Sequence, residues 1–515
     1  MGLARAPQPK PPKDLPGVTE ALTVTGESPT RSRQANMSRS WALPLAGIFV
    51  AGMLKGMHDG MFPADWQARA AAPSLPAGRK ASQSPVEAMR IAHTSDRLAR
   101  GGAGGDADDG TVSAIELRPE APSTHWINFT AAELRSLLDY TQAGDTLRPF
   151  AVPTALRVAI ATANNTGKGG LAPAARRQLL AGVLLALTSA GGECGPECRG
   201  GMRRLLTALH AGHLARVQSL KRPTLGLGPP IYLLHVSKTG GTSLCSLSHY
   251  NRCLEHPKAN NCHPPGSSFG PVWYASNRKQ KEASCEVYRD RVIADNVTYG
   301  HLDIVANEAY MDGGEGGEVP ALCPEMLYIT QLREPTSRVV SHMYQRGVKP
   351  PGFSPDQFKQ ISVAERIERK PDVCSNYMTR VMLGKDVYLA GPGDPPLDET
   401  HGAKAVRVLA HFDMVLLLEQ KSRAGPLLEQ MLGWFNASDM DKRVGRVARA
   451  DRRPLTDEDT RQILDANRID AMLYAAALTM FKLDWLAFGD PTGPPLTASS
   501  PPLTCENPRR QYPKR

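Results

Sequence analysis

At 515 residues the chain has room for a catalytic domain plus accessory parts. A hydrophobic share of 41% beside 22% charged residues supports a packed core and excludes a wholly disordered chain. The formal net charge of +10 favours anionic partners, but no basic stripe interleaved with aromatics and no zinc-finger array is present, so nucleic acid is not expected among them.

Residues 1–40 form a Pro-rich, basic tail in which Arg5, Lys10, Lys13, Arg31, Arg33 and Arg39 outnumber Asp14, Glu20 and Glu27. Residues 41–54 are apolar and uncharged; past Lys55, which can snorkel, the segment runs on to Met57. Basic residues ahead of such a segment hold the N-terminus in the cytoplasm, so 41–57 reads as a type II signal anchor, with a cleaved signal or transit peptide as the alternative. Residues 58–125 are rich in Ala, Gly, Ser and Pro and cannot build a core, which predicts a flexible stem. Helical patterns at 131–140, 174–189 and 202–220 predict a small helical accessory region over 126–227. Cys194, Cys198, His210 and His213 come near the spacing of a zinc site. Their intervals are off the finger pattern, so a disulfide or free thiols with two surface histidines is expected.

The apolar run at 231–234 predicts a buried strand, and Lys238, Thr239, Gly240, Gly241, Thr242 and Ser243 follow it before a segment able to be helical. Strand, glycine-rich turn and helix make a phosphate cradle. The glycines admit an anion to the backbone, the first helical N–H groups point at it, and the lysine adds a full charge. A Walker A loop places its lysine after the last glycine, whereas Lys238 precedes the pair, nearer the bridging atoms of a ligand than its far end. A second strand is predicted near 297–300, ending at Tyr299-Gly300-His301. Residues 326–332 predict a third, from which Arg333-Glu334-Pro335 leads into a helix carrying Ser341. An arginine fork and a serine hydroxyl can converge on one anion.

A late strand is predicted at 413–418, and Arg446, Arg449, Arg452 and Arg453 precede a last long helix at 455–481. There Ile463, Leu464, Ile469, Met472, Leu473 and Ala476 recur at helical spacing. The Pro-rich tail at 491–515 is expected to be disordered. Strands alternating with helices predict an α/β domain over 228–490, with a central parallel sheet and a site at the carboxyl ends of its strands. Nine cysteines and sequons at Asn36, Asn128, Asn164, Asn296 and Asn436 fit a secretory lumen. Cys253 and Cys262, flanking a short polar loop, are the first candidate disulfide.

The loop from Lys238 to Ser243 resembles the 5′-phosphosulfate-binding loop of the Golgi carbohydrate sulfotransferases, with Ser237 where that family often carries proline or glutamine. Arg333 and Ser341 resemble its 3′-phosphate-binding element in kind, order and spacing. Gly300-His301 is similar to an element of the heparan sulfate 2-O-sulfotransferase type, whose histidine is the proposed base; Tyr299 stands where those enzymes often carry another histidine. Asn376, Thr379, Arg380, Leu383 and Gly384 resemble a helical segment common in the 2-O/6-O group, and 412–419 resembles its late strand. The resemblance covers residues 228–490. It implies a P-loop-like three-layer α/β domain, the donor 3′-phosphoadenosine 5′-phosphosulfate, and a glycan or glycoprotein acceptor, an anionic one being in keeping with the net charge. It also implies a single-pass Golgi membrane protein with a lumenal catalytic domain.

On that resemblance the sulfuryl group moves by in-line displacement. Lys238 stabilises charge developing on the bridging oxygen, while Thr239, Gly240, Gly241, Thr242 and Ser243 hold the phosphosulfate. Arg333 and Ser341 grip the 3′-phosphate. Apart from the resemblance, Arg446, Arg449, Arg452 and Arg453 can close over the nucleotide, meet an anionic acceptor, or form a solvated basic loop; Arg449 is the nucleotide-binding candidate among them. His301 is the base, with His249, Glu282 and Glu286 as substitutes. No metal is expected, because lysine and arginine neutralise the charge. Two other readings stand beside this one. A P-loop kinase or NTPase using ATP and Mg²⁺ is opposed by the place of the lysine and by the lack of a clear Walker B aspartate. The other is a non-catalytic glycan-binding relative.

Overall fold

Strands that a parallel sheet buries on both faces read as largely apolar runs, and four such strands assemble here. The computed structural model describes residues 112–113, 128–141, 151–166, 169–221, 228–255, 261–263, 302–311, 322–344, 361–390, 395–434, 454–489 and 505. β1 (Val112–Ser113) and β2 (Asn128–Phe129) make a short antiparallel ribbon. β3 (Ile231–Leu234), β4 (Ile304–Asn307), β5 (Leu327–Leu332) and β6 (Met414–Leu417) form one parallel sheet in the order β4-β3-β5-β6. Ile231 lies opposite both Ile304 and Leu327, and Ile329 lies opposite Met414. The chain is therefore α/β, as its alternating pattern predicts. The strand expected near 297–300 falls outside the described residues; the strand that flanks β3 on that side is Ile304–Asn307.

Among the described residues four helices precede the sheet: α1 (Ala131–Tyr140), α2 (Val152–Asn164), α3 (Pro173–Ser189) and α4 (Pro196–Ser219). α5 (Gly241–Tyr250) follows β3. Between β5 and β6 lie α6 (Pro335–Met343), α7 (Val363–Arg369), α8 (Pro371–Cys374), α9 (Tyr377–Met382), α10 (Lys385–Leu389) and α11 (Glu399–Ala410). α12 (Lys421–Leu432), α13 (Asp457–Ala466) and α14 (Arg468–Phe488) close the order. Local chemistry sets several starts: Thr130 with Glu133 and Thr456 with Asp459 are capping boxes, and prolines open α2, α3 and α4.

α14 is the central helix, packed against β6, α1, α3, α4, α11 and α12. Among the described residues it is the one helix long and apolar enough to cross a membrane, but 78% of that stretch is buried inside the protein. The residues expected to anchor the chain, 41–57, lie outside the described part.

The helical region at the amino side is bolted to the sheet by charge. Arg176 and Arg177 on α3 both pair with Asp484 on α14, and the Arg177 Nη1 also donates to the carbonyls of Ala410 and Phe412 at 2.8 Å. Arg216 on α4 pairs with Asp413 at 2.6 Å, and Asp413 accepts the Tyr328 N–H of β5 at 2.9 Å. Burying these ions is tolerable because each is paired and hydrogen-bonded. The described residues all belong to one compact unit.

Three expectations are corrected. The single helix predicted at 455–481 is two, broken at Asn467. Its side chain donates to the Cys374 carbonyl (2.7 Å) and the Ile463 carbonyl (2.9 Å). Among the described residues the disulfides formed include Cys194–Cys198, Cys245–Cys262 and Cys253–Cys505, so Cys253 does not pair with Cys262. Cys245 on α5 faces Cys262, while Cys253 is met by Cys505, which ties the tail to the domain at that point. His213 is not on the surface: it is fully buried, with Nε2–H donating to the Met431 carbonyl at 3.0 Å and Arg176 donating to Nδ1.

Candidate anion-binding site

β3 ends at Leu234, and the ladder runs one residue further, with His235 N–H donating to the Asn307 carbonyl at 2.8 Å. The chain then turns sharply. Thr239 donates to the Val236 carbonyl through its N–H (3.3 Å) and its hydroxyl (2.7 Å), so this buried hydroxyl shapes the turn. Lys238 has φ +69° and Gly240 φ +99°, the left-handed conformations that reverse a chain within one residue. A Cβ at Gly240 would stand 2.8 Å from the Gln331 Nε2, and one at Gly241 would stand 2.0 Å from the His235 ring. The glycine pair is thus demanded by backbone conformation and by two neighbouring side chains. No side chain caps the start of α5; the Ser243 N–H donates to the Gly240 carbonyl at 2.9 Å, and the amides of Gly241 and Thr242 are the ones placed for a ligand. Lys238, Thr242 and Ser243 are half-buried around it.

The Arg333 element lies against this turn. Arg333 Nη1 donates to the Lys238 carbonyl at 3.3 Å. The topology explains the meeting. β3 and β5 are neighbours, yet the chain leaves β3 toward β4 on one flank and leaves β5 toward β6 on the other. Such a reversal opens a crevice at the carboxyl ends of the two strands, the place where open α/β sheets bind ligands. The Lys238 charge is felt on both sides of it. Next to the larger effect of burial, it helps lower the pKa of His235 behind β3 and of His342 on α6. Ser341 is half-buried on α6, six residues beyond Pro335 and so about 9 Å along the axis.

Three further side chains shape the crevice. Glu419, just past β6, lies 3.9 Å from the Arg333 Nε and accepts from the Glu334 N–H (3.2 Å) and the Tyr474 hydroxyl (2.9 Å). Loss of solvent raises its carboxyl above the ordinary value, and these donors oppose the rise. Glu334 caps α6, accepting from the N–H groups of Thr336 and Ser337 at 2.8 and 2.7 Å, so that helix start is already neutralised. Gln331 is buried beneath Gly240, and among the described residues neither atom of its amide makes a hydrogen bond. An orphaned buried amide is costly and points to a ligand partner. Sequence reading missed both Gln331 and Glu419, because only the fold brings them to the turn.

Other expected residues fall elsewhere. His249 lies eight residues into α5, about 12 Å from its start, and pairs with Glu255 at 2.7 Å, so it does not face the cradle. His301, Glu282, Glu286 and the arginines Arg446, Arg449, Arg452 and Arg453 lie outside the described residues. Asp303, close to His301 in sequence, sits at the amino edge of the sheet, where its carbonyl accepts the Ile231 N–H at 2.8 Å. Asn376, Thr379 and Arg380 serve the frame: the Asn376 amide oxygen accepts from Ile469 N–H and Asp470 N–H, and Asp470 accepts from Met378 N–H, Thr379 N–H and the Thr379 hydroxyl.

Behind the cradle three buried donors converge. His235 Nδ1 lies 3.3 Å from His263 Nε2 and 3.9 Å from Glu308 Oε2, and His263 Nε2 lies 3.7 Å from Glu308 Oε2. Burial lowers both imidazoles to about 4, Lys238 adding to the effect on His235 and His235 to that on His263. No sequence spacing announces this trio, whose members come from the turn after β3, the segment 261–263 and the end of β4. A second group, Cys245, His249, Glu255 and Cys262, is closed to metal because its two sulfurs are joined as a disulfide. Comparison with protein-family models and with curated proteins gives no match.

Proposed function

We propose that the protein is a sulfotransferase. On this reading it moves the sulfuryl group of 3′-phosphoadenosine 5′-phosphosulfate to a hydroxyl of a glycan or glycoprotein, in a P-loop-like three-layer domain held in the Golgi lumen by an N-terminal anchor. The observation that carries the proposal is the bond from Arg333 to the Lys238 carbonyl, which joins the two anion-binding elements in one crevice. A donor with phosphate at both the 5′ and the 3′ end needs two such points.

Lys238 neutralises the charge that grows on the bridging oxygen as the S–O bond breaks, and the leading amides of α5 with Thr242 and Ser243 hold the phosphosulfate. Arg333, braced by Glu419, takes the 3′-phosphate together with Ser341. Gln331 completes the floor under the glycine pair. The acceptor proton goes to His301 on the strength of the resemblance alone, since the described neighbour Asp303 lies at the opposite edge of the sheet. The test is transfer of labelled sulfate to a panel of glycans. Wild type is expected to label at least one class, and Lys238→Ala to lose about 10²–10³-fold. Activity undiminished in Lys238→Ala overturns the reading, and activity undiminished in His301→Ala moves the base elsewhere.

A further inference from the structure

His235, His263 and Glu308 are the side chains of a buried metal centre in composition and in shape. A triangle with sides 3.3, 3.7 and 3.9 Å has its centre about 2.1 Å from each corner, the length of a zinc–nitrogen or zinc–oxygen bond. Two imidazoles and one carboxylate suit zinc, whereas Mg²⁺ and Ca²⁺ prefer all-oxygen sites. The three donors are held before any ion arrives. His235 is fixed by its ladder bond to Asn307 and by Gly241 packed on its ring. His263 follows Cys262, which is tied by its disulfide to Cys245 and accepts the Ala306 N–H at 2.9 Å. Asn261 and Cys262 both hold positive φ, +55° and +60°, a strained pair that turns the chain so as to deliver His263. Glu308 follows Asn307, whose side chain donates to the Tyr232 hydroxyl at 2.7 Å and accepts the Ala309 N–H at 2.8 Å.

We infer that His235, His263 and Glu308 bind one zinc ion directly behind the anion cradle. The ion ties the already placed His235 ring, which packs on Gly241 at the start of α5, to His263 and Glu308. It also adds positive charge beside the site that receives the anion. This inference stands on the three residues themselves and does not depend on the sulfotransferase reading.

The experiment uses the full chain, stripped with chelator and reloaded. Expected are one zinc per chain by mass spectrometric metal analysis, visible d–d bands of tetrahedral type on Co²⁺ titration, and a rise in Tm with added zinc. His263→Gln and Glu308→Gln, each checked for a native circular dichroism spectrum, are expected to weaken zinc binding at least about tenfold and to lose the Co²⁺ bands. The proposal is overturned if stripped wild type takes up no zinc and shows no Co²⁺ bands, or if it does both and the two variants retain them. Should either variant fail to fold, the wild-type Co²⁺ spectrum decides between imidazole–carboxylate ligation and none.

Discussion

Lys238 meets Arg333 through its main chain, which frees the question of its charge from the question of its fold. Its φ of +69° costs about 1–2 kcal/mol for a residue with a Cβ, so the turn stores strain at the residue assigned the chemistry. Lys238→Gly relieves that strain, and the added freedom of the unfolded chain offsets about 0.5–1 kcal/mol of the gain. Stability is therefore predicted to rise by no more than about 1.5 kcal/mol, read from thermal melts, while sulfate transfer falls about 10²–10³-fold. A variant that loses stability and activity together would assign Lys238 a structural role. Gly241→Ala is predicted to lower stability and transfer together, read from thermal melts and the sulfate assay. Its methyl must displace the His235 ring from 2.0 Å, costing about 1–3 kcal/mol and distorting the start of α5.

Between elements, the mutual capping of α9 and the α13–α14 break is the main joint of the carboxyl half. Asp470 is fully buried and accepts three hydrogen bonds, and Asn467 and Asn376 each exchange bonds across the same joint. Asp470→Ala leaves those donors unpaired and is predicted to cost about 3–5 kcal/mol, measured by denaturant unfolding; a loss below 1 kcal/mol would refute the joint. This joint also marks where the sequence stops being legible. The cradle could be read because its residues are contiguous, and β3, β5 and β6 because buried parallel strands are plain apolar runs. The Asn376–Thr379 pattern could be matched but not understood, since its partners lie 91 to 94 residues away. For the same reason Gln331, Glu419 and His263 escaped notice: each gains meaning only from strand order. The Cys253–Cys505 pairing spans 252 residues, a separation no local pattern reports.

At the scale of the whole molecule, two of the long-range ties among the described residues fail with different signatures. Cys253–Cys505 closes most of the α/β region, and Cys505→Ser is predicted to cost about 2–5 kcal/mol with the cradle intact, seen as a lower Tm with unchanged nucleotide affinity. The other tie is the buried seam where His213 lies among Arg176, Met431 and Phe488. Burial lowers its pKa from 6.5 to about 3, so the unfolded chain binds the extra proton between those values. Its contribution to stability is complete above about pH 6.5 and declines as pH falls, by about 1.4 kcal/mol per unit. Urea unfolding of His213→Gln from pH 7 to 5 is predicted to lack this slope relative to wild type. The two-point grip on a doubly phosphorylated adenosine is tested most directly by calorimetric titration of wild type, Lys238→Ala and Arg333→Ala with 3′,5′-ADP and with ATP plus Mg²⁺. Wild type is predicted to bind 3′,5′-ADP, each substitution to weaken it at least about tenfold, and ATP with Mg²⁺ to bind more weakly than 3′,5′-ADP. Binding of ATP with Mg²⁺ as tight as that of 3′,5′-ADP, or affinity untouched by either substitution, would contradict it.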